Sequence, residues 1–360
     1  MYKKWALTVI GAIVFLLVCS ATVSYIVDPY GIYPVTRKSF NEHKIGNRDP
    51  YLVKTYNSRD YQPETIVLGT SRAMRLDPPL IEQITGESTY NLGLSASNSY
   101  IQFSHVESLL KRKNNLKTII IGLDFETFDI EYKTHVNFAE KRVASPFYYF
   151  QDIASTLLTK KSLLDSYYVL YDNVKNRDKY TKSSTLDDGS FNAEIKLRSE
   201  VSVNDLKRIA IQYEVSLNSI EYIKKIQDLC NEQDIQLYLY ISPIHAIILE
   251  TFWQMDQWPV YEDWKRQLVS IAPIWDFSGY HDISMSSLNH DTYYDDLSHF
   301  SKETGNLMVY RMLGSEDYAP PWFGVQITPD NIEEHLQKLR ESRSQWDYRD
   351  TDMQELIQDY

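Results

Sequence analysis

The sequence predicts an α/β fold, a three-layer α/β/α sandwich with a mainly parallel sheet, preceded by one transmembrane helix. Short apolar runs at Thr65 to Leu68, Tyr90 to Leu92, Thr118 to Ile121, Gln236 to Ile241 and Ile274 to Phe277 have strand character. Helical patterns at Ile101 to Lys113, Val203 to Gln233 and Tyr261 to Ile271 separate several of them. Strands spaced by helices pair in parallel, and the helices then cover both faces of the sheet. With 360 residues, 43% hydrophobic and 24% charged, the chain has the means to bury a substantial core.

The N-terminal segment differs from the rest. Lys3 and Lys4 precede an uncharged stretch from Trp5 to Val27, closed by Asp28-Pro29. At ~1.5 Å per residue it is long enough to cross a hydrocarbon core of ~30 Å. Lysines before the span and an acid after it predict residues 1–4 as a cytoplasmic tip, 5–27 as a signal anchor and the remainder as extracytoplasmic. The expected location is the cytoplasmic (inner) membrane, single-pass, with the C-terminal domain in the periplasm or at the cell surface. A signal peptide cleaved near Cys19-Ser20-Ala21 and a lipoprotein signal at Cys19 are the alternatives. Against them, the apolar run continues past both sites, and Val18 is bulky for lipoprotein processing. Cys230, the second of two cysteines, lies in an apolar helical pattern and reads as a core residue.

Residues 28–62 are polar and without periodicity, and read as a stalk or collar. Residues 63–314 form the expected α/β domain, interrupted at about 130–200 by Tyr- and Lys-rich sequence such as SPFYYF and SYYVLYDN. An insertion directly after the third strand sits where ligand sites of parallel sheets lie, so it reads either as a lid or substrate wall or as a subdomain packed by its aromatics. In the C-terminal extension, 315–360, Thr328-Pro329-Asp330 predicts a helix start. Ile332, Leu336 and Leu339 give that helix a narrow apolar stripe for docking, and the stretch from Ser342 to Tyr360 is polar enough to be loosely held.

The formal charge of −12 argues against nucleic acid as a partner, because phosphate binding needs a basic surface. The chemistry-bearing residues are elsewhere. In IVLGTSRAM, residues 66–74, a strand gives way to Gly69-Thr70-Ser71-Arg72. A serine in the first turn after a strand has a backbone N–H free to stabilise an oxyanion while its hydroxyl attacks. The hydroxyl needs a base and the base an orienting group. YYDDLSHFS, residues 293–301, supplies Asp296 and His299 three positions apart, just before a helix capped by Ser301 that runs to about Leu313. Taken singly, the serine reads as a helix cap and the Asp-x-x-His as a solvated turn; their joint order is what points to chemistry.

These residues together resemble the SGNH/GDSL hydrolases. The serine block looks like that family's first motif, Gly93 in YNLGLSASN like its second, and Asp296-Leu297-Ser298-His299 like its last, over roughly residues 64–314. The resemblance implies Ser71 as nucleophile, His299 as base and Asp296 as its orienting group. The remaining motif departs: the family places an asparagine after the third strand as an oxyanion donor, where GLDFETFD here has Asp124. An ionised carboxylate donates no hydrogen bond, so Asp124 points elsewhere, or is protonated, or another donor such as Asn98 replaces it.

The anchor and the GTSR form of the block resemble a membrane-anchored branch of envelope polysaccharide O-acetyltransferases and esterases. That resemblance implies an O-acyl, here acetyl, group as cargo, a carbohydrate substrate, a membrane acyl-transfer partner to deliver the donor, and no cofactor. The 28 tyrosines offer sugar-stacking surfaces, though packing is their commoner use. A non-catalytic assembly or glycan-binding component that retains the fold is the alternative from another class. His245 in ISPIHA follows the fourth strand and reads either as a substrate contact or as a packed histidine. Arg72 and Arg75 read as anion contacts or as structural ion pairs. His281-Asp282 and His290-Asp291 lack a third convergent ligand, so no metal site is expected.

Overall fold

The computed structural model describes residues 2–33, 40–42, 44–45, 49–112, 115–177, 183–186, 188–193, 212–287, 292–314 and 318–346. Its centre is a six-stranded sheet built from β1 (Thr65–Leu68), β2 (Thr89–Asn91), β3 (Thr118–Leu123), β6 (Gln236–Ile241), β7 (Ile274–Asp276) and β8 (Val325–Ile327). The spatial order is β2-β1-β3-β6-β7-β8. The first five are parallel, with Ile66 opposite Tyr90 and Ile119, while β8 is antiparallel to β7. The sequence reading did not anticipate β8 at the sheet edge, where Val325 and Gln326 are exposed and only Ile327 is buried. It also missed a hairpin of β4 (Ser183–Thr185) and β5 (Phe191–Ala193) within the 130–200 segment.

Side chains alternate across a strand, so β1 and β3 feed two apolar clusters. Ile66, Leu68, Ile119 and Ile121 enter the larger one, while Val67 and Ile120 enter the other. The larger cluster draws on helices α4 (Ser99–Lys111), α8 (Leu217–Glu232), α9 (Ala246–Gln254), α10 (Trp258–Val269) and α12 (Ile332–Gln345). The other draws on α3 (Pro78–Thr85) and α11 (Lys302–Met312). Cys230 is buried in the larger cluster, as its apolar pattern indicated.

Two helix starts differ from the sequence reading. Thr328 does not cap α12: its carbonyl accepts from the amides of Asn331 and Ile332, and its own N–H donates to Asn331 Oδ1. The resulting turn holds Pro329 and Asp330 outside the helix. Residues 212–216 are not helical, with Val215 bridging Asp129, and Ser216 caps α8 by accepting from Ser219 N; residues 203–211 lie outside the described residues.

The chain divides into two compact units. The second, Ser58–Phe138 with 188–190 and 195–360, holds the sheet. The first comprises Met1–Asn57, Ala139–Asp187 and Phe191–Glu194, so the 130–200 segment contributes to both. Within the first unit, α1 (Tyr2–Val27) is long and apolar enough to cross a membrane. It packs with α6 (Tyr148–Leu157) and α7 (Lys160–Val174). The polar 28–62 region holds α2 (Pro50–Tyr61), which begins in the first unit, and a buried ion pair of Lys44 Nζ with Asp28 at 2.7 Å. Its lack of hydrophobic periodicity follows from burying polar residues such as Asp28, Asn41 and Thr55.

The end of β7 carries a buried polar network. Lys265 Nζ lies 2.6 Å from Asp276 Oδ2 and 3.0 Å from Ser278 Oγ, and His335 Nε2 approaches Asp276 Oδ2 at 2.8 Å. His335 is on α12, so the network ties the C-terminal helix to the sheet. Burial works against the charge on Asp276, yet Lys265 and then His335 hold its carboxyl well below the usual range. A depressed folded-state value means that the stabilisation is full above the ordinary carboxylate range near ~4 and is lost as pH falls through the depressed value. Asp276→Asn leaves the Lys265 ammonium buried without a counter-charge. It is expected to cost about 3–5 kcal/mol at neutral pH, measured by urea unfolding of the full chain in detergent followed by tryptophan fluorescence.

Candidate active site

The chain passes from β1 out to β2 and returns to β3 on the other side of β1, so the connections leaving β1 and β3 run in opposite directions. That divergence opens a crevice at the C-terminal ends of the two strands, where parallel sheets bind ligands. Gly69 to Ser71 leave β1 there and Asp124 leaves β3. Gly69 has φ +141°, and a Cβ on it would lie 2.7 Å from the Ala73 Cβ, so the tight exit from the strand requires glycine. The turn continues into a short 3-10 helix, Ala73–Arg75.

Ser71 Oγ is 2.7 Å from His299 Nε2, and His299 Nδ1 is 2.8 Å from Asp296 Oδ2. The three side chains expected to act together are thus in a hydrogen-bonded line, although 228 residues separate Ser71 from His299. Asp296 Oδ1 accepts from the amides of Ser298 and His299, each at 2.8 Å, which closes the loop around the histidine. Burial opposes the Asp296 charge, but the His299 hydrogen bond and these amides outweigh it and hold the carboxyl well below the usual range. The carboxylate therefore persists as pH falls past the ordinary carboxylate range and is lost only through the depressed value. Among the described residues the Ser71 N–H has no acceptor, which leaves it available to a developing oxyanion.

The turn bearing Ser71 is clamped from both sides. Thr70 Oγ1 donates to Asp124 Oδ2, and Arg72 Nη1 lies 2.9 Å from Asp124 Oδ1 and 2.6 Å from Glu126 Oε1. Arg72 Nε donates to the Ser298 carbonyl at 2.7 Å, and Arg75 Nη1 lies 2.5 Å from Asp295 Oδ2. Burial disfavours the Arg72 charge, but Asp124 and then Glu126 more than offset it and hold its pKa above the usual value. Arg72 and Arg75 are therefore structural ion pairs joining the serine turn to the loop of Asp296 and His299, and their anion-binding alternative is not needed.

Asp124, which stands where an oxyanion donor is expected, is buried against Thr70 and Arg72. Its charge is compensated by Arg72. Gly93 is in the crevice region but its N–H donates to Asn91 Oδ1 at 2.9 Å, and a Cβ there would meet Met74 N at 2.9 Å, so the glycine serves close packing. Asn98 caps α4, its Oδ1 accepting from Ile101 N at 3.1 Å and its Nδ2 donating to Thr134 Oγ1 at 3.4 Å. His245 is buried: Nδ1 accepts from Ile247 N, Nε2 donates to the Ser286 carbonyl at 2.8 Å, and its N–H donates to the Leu297 carbonyl. Through Leu297 it is tied to the Asp296 loop, the position of a packed histidine.

Sequence reasoning missed Asn91, whose Nδ2 donates to the carbonyls of Ala73 and Leu76 and so buttresses the 3-10 turn behind Ser71. It also missed Thr70, Glu126 and Asp295 as partners of the arginines. Among the described residues no group of three or more His, Cys, Asp or Glu is arranged to hold a metal ion; His290 and Asp291 lie outside them.

Arg72→Ala removes the counter-charge of a buried carboxylate. The expected loss is about 3–5 kcal/mol of stability in denaturant titration, with slower reaction of Ser71 toward a fluorophosphonate. Asn91→Ala is expected to cost about 1–3 kcal/mol, through the two carbonyls it leaves unpaired. A scan against protein-family models and a search of curated proteins both give no match to this chain, so the chemistry assigned to Ser71 rests on its geometry.

Proposed function

We propose that the protein is a serine acyl transferase or esterase of the SGNH type, acting outside the cytoplasmic membrane on O-acyl, chiefly acetyl, groups of a cell-envelope or exported polysaccharide. In this reading the helices form two layers about the sheet, giving the three-layer sandwich of that superfamily. The observation that carries the proposal is the line from Ser71 Oγ through His299 to Asp296, with the Ser71 amide unoccupied.

The mechanism follows from those atoms. Ser71 Oγ attacks the acyl carbonyl carbon while its proton passes to His299 Nε2, and the Ser71 N–H stabilises the oxyanion. Asp296 fixes the ring so that Nε2 faces the serine and stabilises the imidazolium that forms. Collapse breaks the ester bond, His299 protonates the departing alkoxide, and the acyl group stays on Ser71. An acceptor hydroxyl, from water or a sugar, then loses its proton to His299 and attacks the acyl carbonyl; the bond to Ser71 Oγ breaks, and His299 returns the proton to Ser71. Arg72 keeps Asp124 from acting as a repelling charge. If a sugar is the acceptor, a membrane partner delivers the acyl donor, because one membrane-length helix, as found among the described residues, provides no conduit.

A second reading, a non-catalytic envelope component that keeps the fold, draws on one observation: Asp124 and the Gly93 amide are committed to other partners, leaving fewer oxyanion donors than the family motif supplies. Fluorophosphonate labelling separates the two. The catalytic reading predicts labelling and acetyl-ester turnover in the native chain, loss of both in Ser71→Ala, and roughly 10³- to 10⁴-fold slower turnover in Asp296→Asn. Labelling that survives Ser71→Ala would sink it.

A further inference from the structure

Helix α7 has its polarity reversed. It buries Ser162, Asp165, Ser166 and Asp172, together with Val169, and exposes Leu163, Leu164, Tyr167, Tyr168, Tyr171 and Val174. The three- and four-residue spacing within each set makes these opposite faces of one helix. The contrast is large: Ser166 is 0% exposed, Tyr167 59% and Val174 78%. Helix α6 follows suit, burying Asp152 and Thr156 while Phe150 is 69% exposed. A helix on a water-facing domain does the reverse.

Asp165, Ser166, Ser162 and Asp152 all have hydrogen-bond partners, so this arrangement is built rather than accidental. Asp165 accepts from Tyr30 OH at 2.8 Å, Ser166 Oγ donates to the Ser162 carbonyl, and Asp152 Oδ2 accepts from Tyr56 OH at 2.6 Å and Arg142 Nε at 2.8 Å. The outer face has an apolar neighbour of known kind. α7 packs with α1, where Val27 joins Val169 and Leu170, and α1 itself is apolar and exposed from Trp5 to Cys19. Exposed Lys160 and Lys161 open α7, and exposed Lys175 and Arg177 follow it. At 15 residues α7 is about 22 Å long, short of the ~30 Å hydrocarbon core, so it does not span.

We propose that α6 and α7 form a second membrane contact, a hairpin whose Leu, Tyr and Phe face lies at the boundary of acyl chains and headgroups beside α1. Tyrosine suits that boundary, and the basic ends of α7 reach phosphate headgroups. The contact is independent of the chemistry at Ser71. Lipid is the occupant because the face adjoins the membrane-length helix and is bracketed by basic groups that would repel each other across a contact between two copies.

The test is collisional accessibility of spin labels in the full chain, reconstituted in nanodiscs of phosphatidylcholine and phosphatidylglycerol. Leu164→Cys, Tyr168→Cys and, as an aqueous reference, Glu334→Cys are each made with Cys19→Ala. Cys230 stays unlabelled because it is buried and burial pushes its thiol up to about 12. The ratio of oxygen to nickel-chelate accessibility is expected to be several-fold higher at 164 and 168 than at 334. A ratio equal to that at 334 places the face in water and overturns the proposal. Labels accessible to neither probe overturn it in favour of a second copy. Native Cys19, labelled alone, reports whether α1 is in lipid; an aqueous ratio there overturns the anchor and the hairpin contact together.

Discussion

The guanidinium of Arg72 joins three stretches of chain that are remote in sequence: the serine turn it belongs to, Asp124 and Glu126 after β3, and the Ser298 carbonyl beside His299. A buried cation is costly unless its partners are well placed, and removing one partner strands the others. The cluster therefore tolerates little rearrangement. Because Thr70 and Arg72 flank Ser71 and both contact Asp124, the position of the serine is fixed by its neighbours. Arg75 and Asp295 repeat the connection one turn further on. At Gly305, where a Cβ would lie 3.0 Å from the Arg75 carbonyl, α11 presses on the same turn.

The same cluster gives Asp124 a role different from that of a hydrogen-bond donor. An unpaired carboxylate beside a forming oxyanion would raise the barrier, whereas one bound to Arg72 contributes little net field at the serine. In the proposed mechanism the charge of Asp124 thus belongs to the scaffold that holds Ser71. Polarity is also distributed by surroundings in the first unit, where α7 turns its serines and aspartates inward and its leucines and tyrosines outward.

Much of the sheet was legible because β1 and β3 are buried apolar runs and β6 ends in one, and the order of their connecting helices implies parallel pairing. The Asp296-x-x-His299 pair was legible because its geometry is local, a turn in which one carboxylate reaches two amides and a ring. The pairing of Arg72 with Asp124 was not, since it spans the crossover from β1 through β2 to β3, and no local pattern announces it. His245 was ambiguous for a related reason: a capping residue and a substrate contact occupy the same kind of position after a strand's end, and only the hydrogen bonds separate them. The edge strand β8 and the hairpin are three-residue segments, too short for periodicity to register.

In the proposed mechanism Ser71, held by Arg72 and served by His299, takes up an acyl group. The most direct measurement of that step is acid quenching of the full chain in detergent during reaction with an activated acetyl ester, followed by peptide mass mapping. An acetyl adduct on Ser71, formed within the first turnover and accumulating when the acceptor is withheld, is the predicted result. Hydrolysis of the ester with no adduct on Ser71, or with the adduct on another residue, would contradict the account.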